Sequence, residues 1–251
     1  MNRHCAHACG LILVLVSASG ARADTSVEAG FSYENLDNGF SDWRSRYVSG
    51  AWHPERDRAL YGSLRETERF DLDDAEAMAG IYHPVSPALT VHAEASASAT
   101  HRVLPKWTTL VQFQYALPAG VGVHVGVRHA DYLDARVNDV RLTVERYFSD
   151  YRIAYVATGS RLVDGDSALT HVLQAAYYYG EDSFVGVTAA FGEEVESLGA
   201  SGVTVTDVAG GALTGRHALT GAWSLVWHAG SHEQGKRYTR NAVGAGFRYR
   251  F

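Results

Sequence analysis

Long apolar segments are almost absent from this chain. One sustained apolar run extends from Leu11 to Val16, and the apolar stretches after it are only a handful of residues long. A membrane-spanning helix needs about 20 predominantly apolar residues. If the protein crosses a membrane, it must therefore do so with strands that close into a barrel, because the bilayer core offers no partner for unpaired backbone groups.

Cysteine is absent after position 9. Cys5 and Cys9 both precede the apolar run, whereas a lipoprotein cysteine follows such a run at the cleavage site, so we predict no lipidation. The basic Arg3, the apolar run, and the small residues Ala21 and Ala23 form the pattern of a Sec-type signal that is cleaved after Ala23. The rest of the chain would then have neither disulfides nor thiolate chemistry.

An excess of basic residues is also missing. The chain has 22 lysines and arginines against 28 acidic residues, a formal net charge of −6 that becomes −8 when Arg3 and Arg22 leave with the signal. Nucleic-acid partners select for basic surfaces, so we expect none. No linker, hinge or low-complexity tract divides the remainder. We therefore predict a signal peptide at residues 1–23 and a single barrel domain at residues 24–251.

What the sequence does contain is alternation with a period of two. In VGVHVGVRH (121–129), valines alternate with Gly122, His124, Gly126 and Arg128. This is typical of a strand with one apolar and one polar face. No amphipathic helix of useful length competes. The alternation predicts about fourteen strands, at residues 26–36, 43–53, 59–70, 74–83, 88–99, 106–117, 120–130, 138–147, 151–160, 168–180, 184–192, 202–212, 216–229 and 238–251.

The third and fourth strands are the weakest of the set, because RETERFDLDDAE is heavily charged, and losing this pair would leave twelve. Short connections such as LPAG and FSD alternate with longer ones such as THRVLP, GEEVESLGAS and GSHEQGKR. That is the wiring of an outer-membrane barrel, with short turns facing the periplasm. Aromatic residues before the short turns predict an aromatic girdle at one interface: Tyr82, Tyr115, Tyr147, Phe148, Tyr177, Tyr178 and Tyr179.

A soluble β-sandwich or secreted barrel would show the same alternation. Fourteen meandering strands would make an unusually large soluble sheet, and the polar face is too polar for a packed interior. We therefore predict an all-β, antiparallel transmembrane barrel in the outer membrane of a Gram-negative cell. The closing stretch NAVGAGFRYRF has apolar residues at every second position, and Phe247, Tyr249 and Phe251 form the pattern that we expect the barrel assembly machinery to recognise.

Several segments resemble the YaiO-type family of outer-membrane β-barrels. They are Tyr33 with NGFSDW (38–43), RFDLDD (69–74), LPKW (104–107), ERYFSDYR (145–152), GEEVE (192–196) and the final FRYRF. The resemblance spans nearly the whole chain after the signal, and it implies a barrel in the outer membrane. The molecular activity of this family is not established. Some members carry helical repeat segments, as in exopolysaccharide-export systems.

Function would lie on the inward face of the barrel. One interpretation is a water-filled lumen with both signs of charge that guides a polar or anionic solute. The other is a network of salt bridges that fills a narrow barrel and makes it rigid. The candidate lumen-lining residues are Glu28, Glu34, His92, Glu94, Gln112, Gln114, His124, Arg128, Arg141, Glu145, Arg152, Arg240, Arg248 and Arg250.

Little in the sequence favours catalysis. His92 and Glu94 share a face, but no serine is fixed beside them by spacing, and the histidines are too scattered to indicate a metal. We predict no cofactor and interpret DNGFSD and DLDD as solvated acidic turns. The favoured function is a narrow porin-like channel for a saccharide, an exopolysaccharide or another polar solute. The alternative is a non-conducting barrel whose external loops contact ligands, phage or lipopolysaccharide.

Overall fold

The fold is a closed barrel of fourteen antiparallel strands. The computed structural model describes residues 24–55, 57–163, 165–180, 182–198 and 202–251. Each strand pairs with its neighbours in sequence, and β1 pairs with β14 to close the ring. The strands are β1 (Asp24–Leu36), β2 (Trp43–Glu55), β3 (Arg58–Arg69), β4 (Leu72–Ser86), β5 (Leu89–Ser98), β6 (Trp107–Leu117), β7 (Val121–Asp131), β8 (Arg136–Phe148), β9 (Tyr151–Leu162), β10 (Ser167–Tyr179), β11 (Ser183–Ser197), β12 (Val203–Ala218), β13 (Trp223–Gln234) and β14 (Tyr238–Arg250).

This architecture confirms the predicted all-β barrel and decides for fourteen strands over twelve. In the described part of the chain, no helix is long and apolar enough to cross a membrane. The predicted signal peptide, with its cleavage residues Ala21 and Ala23, lies outside the described residues.

The pairing register assigns every strand residue to one of two faces. Where β1 meets β14, Phe31 lies opposite Ala245 on the outward face, and Glu28 lies opposite Arg248 on the inward face. The same parity holds around the ring, because each ladder continues the alternation of the one before it. Large apolar side chains such as Phe31, Leu64 and Phe247 are exposed on the outward face, as a lipid-facing surface requires.

The two ends of the barrel differ in their connections. The end that we call the turn end has residues 56–57, 87–88, 118–120, 149–150, 180–182 and 219–222 between its strands. The opposite loop end has residues 37–42, 70–71, 99–106, 132–135, 163–166, 198–202 and 235–237. The predicted loops GEEVESLGAS and GSHEQGKR are shorter than expected, because β11 extends to Ser197 and β13 to Gln234.

The predicted boundary between the twelfth and thirteenth strands was wrong. The tetrapeptide ALTG occurs twice, at 212–215 and 218–221, and the prediction placed the turn at the first copy. In the structure Leu213 of the first copy is a lipid-facing strand residue. The second copy forms the turn, where the Thr220 hydroxyl accepts a hydrogen bond of 3.1 Å from the backbone N–H of Trp223. A hydroxyl that accepts from a backbone amide is a common means of stabilising a turn.

The predicted aromatic girdle was wrong for three of its residues. Tyr115, Phe148, Tyr177 and Tyr179 lie on the outward face, but Tyr82, Tyr147 and Tyr178 point into the barrel. Adjacent residues of a strand cannot share a face, so a run such as YYY must divide between lipid and lumen.

The last part of β11 leaves the barrel wall. Its pairing with β10 ends at Gly192, opposite Thr170, while pairing with β12 continues to Ser197. Gly192 has a φ of +116°, and a Cβ there would lie 2.3 Å from the carbonyl oxygen of Leu169. Only glycine fits this position without strain. The hairpin tip formed by 193–198 and 202–207 therefore bends over the loop end.

The face assignment can be tested on β7. Val125 is 44% exposed on the outward face, and Val125→Arg should destabilise the folded barrel by about 2–4 kcal/mol, because a charge would enter the hydrocarbon. Urea unfolding of the refolded protein in lipid vesicles measures this change. Val125→Ala serves as the size control. Arg128→Ala, on the inward face of the same strand, should cost less. The opposite order of effects would mean that the faces of β7 are reversed.

Candidate functional site: the barrel interior and its covered loop end

The interior wall carries the side chains that the alternation assigned to it. Pairing register places all fourteen candidates on the inward face: Glu28, Glu34, His92, Glu94, Gln112, Gln114, His124, Arg128, Arg141, Glu145, Arg152, Arg240, Arg248 and Arg250. Most of the large polar ones lie on β5 to β9, whereas the wall from β10 through β14 to β2 carries many glycine, alanine, serine and threonine residues. The two halves of the interior wall are therefore unequal.

Charges inside the barrel are largely paired. Glu145 accepts a hydrogen bond of 2.7 Å from Arg152 and lies 3.2 Å from the imidazole of His124. Arg128 contacts Asp139 at 2.9 Å. Charged groups away from bulk water are stable only with such partners. Three further pairs line the interior: Arg65–Glu76, Arg216–Asp182 and Arg240–Glu34.

Tyr61 links two of the predicted residues. Its hydroxyl lies 2.7 Å from both the Nε2 atom of His92 and the Oε2 atom of Glu94. The ring of Tyr82 stacks on His92, with centroids 4.1 Å apart and planes within 5°. The two inward tyrosines hold the imidazole and the carboxylate against the wall.

Large inward side chains lie flat on the wall rather than projecting to the axis. Tyr61 covers Gly80, its partner on β4, so closely that a Cβ on that glycine would lie 2.3 Å from the tyrosine ring. Tyr47 covers Gly30 in the same way, at 2.7 Å. At mid-height, inward residues such as Ser49 remain partly accessible to solvent. Solvent therefore reaches part of the interior wall at mid-height.

The loop end of the barrel is covered by the connection 99–106, which a single carboxylate anchors. Asp74 on β4 points inward and is only 2% exposed. Its Oδ2 atom accepts backbone hydrogen bonds from Arg102 at 2.9 Å, Val103 at 3.4 Å and Leu104 at 3.2 Å, and its Oδ1 atom accepts from the Thr100 hydroxyl. Hydrogen bonds to an ionised acceptor are about twice as strong as neutral ones.

The anchored connection reaches toward the far side of the mouth. Val103 and Leu104 are 3% exposed, although they belong to a loop. The segment 101–104 shares a small crevice with residues 132–134 and with Ser197 and Val203 of the hairpin tip. Since β11 and β12 lie six places around the ring from β5 and β6, the loop spans much of the opening.

An aromatic cluster closes a second part of the mouth. The side chains of Trp43 and Tyr238 are 1% and 2% exposed, and they pack with Leu36 and Phe70. The guanidinium of Arg69 lies 3.5 Å from the centroid of the Trp43 ring, an arrangement that favours the cation. This cluster joins β1, β2, β3 and β14 at the loop end.

The hairpin tip completes the cover. Its residues Val195, Val203 and Val205 pack against a cluster on the ends of β7, β8 and β9, formed by Ala130, Val137 and Leu162. On its other side, Glu194 accepts a hydrogen bond of 3.0 Å from Gln234, and Glu196 accepts one from Tyr238. The tip therefore ties opposite walls of the barrel together.

The connection 37–42 is ordered by another carboxylate. Asp42 accepts hydrogen bonds from the Tyr33 hydroxyl and, at 3.2 Å, from the Leu36 amide. These hydrogen bonds hold the pKa of Asp42 below its ordinary value because they favour the ionised form. The bond from Tyr33 has the largest effect. The interpretation of DNGFSD as a plain solvated turn is therefore incomplete.

Sequence reasoning missed the residues that cover the mouth. DLDD was interpreted as a solvated turn, and the predicted fourth strand began at its last residue, Asp74. In the structure only Phe70 and Asp71 separate β3 from β4, and Asp74 is buried on the inward face. The family resemblance did point to these residues. The segments that carry it contain Trp43 (NGFSDW), Arg69 and Asp74 (RFDLDD), Leu104 (LPKW), and Glu194 and Glu196 (GEEVE). Among the described residues, no group of three or more His, Cys, Asp or Glu could hold a metal ion.

Two comparisons with known proteins agree with this architecture. A family model described as the YaiO membrane beta barrel domain matches residues 24–197, more than half of the chain. Among solved structures, the Acinetobacter baumannii outer membrane protein Omp33 is similar over 91% of this chain and 99% of its own, with a TM-score of 0.53 and 14% identity.

A bacterial polysaccharide outer membrane secretin is similar over 93% of this chain and 100% of its own, with a TM-score of 0.55 and 10% identity. The anion-selective porin from Comamonas acidovorans is similar over 92% and 99%, with a TM-score of 0.50 and 9% identity. At such identities the likeness concerns the fold. A search of curated proteins finds no significant match.

The anchor of loop 99–106 can be tested by amide hydrogen exchange. Asp74→Ala removes the shared acceptor of three backbone N–H groups, and the loop should lose roughly 2 kcal/mol of local stability. The amides of Arg102, Val103 and Leu104 should then exchange about 30-fold faster. The neighbouring Asp73→Ala, at an exposed outward position, is the matched control. Equal exchange in both variants would show that Asp74 does not hold the loop.

Proposed function

The chain belongs to the YaiO membrane β-barrel family of the outer membrane, and we propose that it is a narrow passage for a polar solute whose loop end is closed by a movable cover. The observation that carries the proposal is a polar interior wall, partly accessible to solvent at mid-height, beneath a cover whose central loop is anchored by the single carboxylate of Asp74. The loop end faces outside the cell, and the turn end faces the periplasm, as in other barrels with this wiring.

The unequal wall supports passage. Large polar groups are most numerous on β5 to β9. The opposite wall has small side chains at mid-height and arginines such as Arg216 and Arg248 at its turn end, so we infer that the open space lies off-centre. A barrel meant only to be filled would gain stability from side chains that meet at the axis and leave no void. Here Tyr61 and Tyr47 lie over glycines of the wall instead, and this arrangement keeps their rings away from the axis.

The polar wall suits a small hydroxylated solute, and we propose a saccharide. Gln114 and Glu94 offer donors and acceptors on the inward face, and inward tyrosines such as Tyr82 offer flat faces. Saccharides present hydroxyl groups and apolar ring faces to a binding site. Paired charges such as Arg152 with Glu145 give the lumen a mixed field rather than one of a single sign.

The cover supports a gated rather than a permanently open passage. It joins loop 99–106, the Trp43 cluster and the hairpin tip, and each has buried apolar side chains. Asp74 is the shared acceptor of three backbone amides and one hydroxyl of the loop, so the loss of this one carboxylate removes four hydrogen bonds at once. The alternative is a non-conducting barrel with an interaction surface at its loop end, and the same dense packing of Trp43 and Tyr238 favours it.

Single-channel recording in planar bilayers tests the proposal. The wild-type protein should show small or brief conductance steps, because the cover closes the lumen most of the time. Asp74→Ala should lengthen or enlarge the steps several-fold, since loop 99–106 loses its anchor. Silence from both the wild type and Asp74→Ala, with the barrel shown to be folded by heat-modifiable migration in electrophoresis, would refute passage in favour of the non-conducting alternative. Asp73→Ala should behave as wild type.

We also propose that Phe247, Tyr249 and Phe251 are read by the barrel assembly machinery. Phe247 lies on the lipid face of β14, and the Phe251 amide pairs with the carbonyl of Thr25 at 2.9 Å, beside the closing ladder. Deleting Phe251 in cells should lower the amount of heat-modifiable barrel in the outer membrane several-fold. Wild-type amounts in the deletion variant would contradict this role. We propose further that lipopolysaccharide contacts the outward face near the loop end.

A further inference from the structure

The turn end of the lumen holds arginines that the proposed passage does not explain, and we propose that they form a binding site for one oxyanion group, a carboxylate or a phosphate. The two central residues are Arg248 on β14 and Arg216 on β12. Both point inward near the turn end, and they are 3% and 6% exposed.

The guanidinium groups have donors without acceptors. The Nε and Nη1 atoms of Arg248 and the Nη1 atom of Arg216 are buried and find no hydrogen-bond partner among the described residues. A buried donor left unpaired costs about 1–3 kcal/mol, and more on a charged group. Three such donors on two neighbouring cations indicate a site that an anion completes.

The nearest carboxylates do not satisfy these three donors. Glu28 lies directly opposite Arg248 in the β1–β14 ladder, but its Oε1 atom accepts a hydrogen bond of 2.7 Å from Tyr47 on the other neighbouring strand. The Asp182 carboxylate pairs with the Nη2 atom of Arg216 and accepts a hydrogen bond of 3.2 Å from the Ser224 hydroxyl, and the Asp182 carbonyl accepts from the Nε atom of Arg216. No ion pair forms between Arg248 and an acid of the described chain.

The surrounding charges favour an anion over a cation. Arg250, two residues beyond Arg248 on the same face, adds a third guanidinium, which donates to the Gly221 carbonyl at 3.3 Å. Against these stand Glu28 and Asp182. Farther toward the rim, His53 faces Asp24 across the β1–β2 ladder. The buried hydroxyl of Ser26 lies opposite Arg250 in the β1–β14 ladder and can donate to the same oxygen atoms.

The position of this site gives it a role within the passage. An oxyanion bound at Arg248 would lie at the turn end of the lumen, where a solute enters or leaves on the side away from the cover. The role of this site in transport rests on the proposed passage, but the binding of an oxyanion itself requires no conduction. A charged sugar such as a uronate would present its carboxylate here and its hydroxyls to the wall.

Isothermal titration of the refolded protein with inorganic phosphate tests the site. The wild type should bind one phosphate per barrel in a saturable manner, and Arg248→Gln should weaken binding at least tenfold, because charge-assisted hydrogen bonds are lost. Glu28→Gln should strengthen binding several-fold, since it removes a nearby negative charge and keeps an acceptor for Tyr47. Arg128→Gln, an inward arginine paired with Asp139 in the loop-end half of β7, should leave affinity unchanged.

Two results would overturn the site. One is the absence of saturable phosphate binding in the folded wild type. The other is equal phosphate affinity in Arg248→Gln and the wild type. If Arg248→Gln does not fold, the corresponding result is a phosphate affinity in Glu28→Gln no higher than that of the wild type. Because titration is done in detergent without a membrane, a silent bilayer recording would refute passage and leave this test intact. Binding of glucuronate but not glucose would extend the site to anionic sugars, and equal binding of both would contradict recognition through the carboxylate.

Discussion

The ladder between β1 and β14 is the interaction on which everything else in this barrel depends. The bilayer core offers no hydrogen-bond partner to a free strand edge, so the first and last strands must pair with each other. Their register, with Glu28 opposite Arg248 and Phe31 opposite Ala245, continues the alternation of thirteen other ladders without a change of parity. Closure therefore decides for every strand residue whether it meets lipid or lumen.

Closure also places charged groups where only other protein groups and trapped water can solvate them. These charges are stabilised by local ion pairs such as Arg128 with Asp139, and large side chains lie along the wall. Tyr61 can reach both His92 and Glu94 because Gly80 leaves room beneath its ring. The buried apolar clusters lie at the loop end. At Arg248 and Arg216, buried guanidinium donors remain without acceptors among the residues that the structure describes.

Much of the wall could be predicted from sequence, because a strand's alternation is local information. The segment VGVHVGVRH became β7 with the expected faces, and every candidate from Glu28 to Arg250 lies on the inward side. Boundaries were less secure where local signals repeat, as with the two copies of ALTG. The runs of aromatic residues predicted a single outward girdle. Adjacent positions such as Tyr177 and Tyr178, however, must point to opposite faces of the barrel wall.

The cover of the loop end could not be predicted in this way, because its contacts join residues far apart in sequence. Asp74 accepts from an amide 30 residues away, and Tyr238 donates to a carboxylate 42 residues away. Neither contact produces a periodic pattern in the sequence. The segments shared with the YaiO family pointed to these residues without showing what they do. The structural roles of Trp43, Asp74 and Glu196 are evident only in the folded barrel, which brings their strands together at one end.

A hydrated interior beneath the cover is the property on which the proposed passage depends. Cys5 and Cys9 are the only cysteines, so in protein refolded from residues 24–251 a single introduced cysteine reports its own surroundings. Ser49→Cys lies on the inward face at mid-height of β2, and Val48→Cys lies beside it on the lipid face. In lipid vesicles, a charged, membrane-impermeant thiol reagent should modify position 49 rapidly and position 48 hardly at all. Equal protection of both positions would mean that the interior is dry and filled, and it would contradict a hydrated lumen.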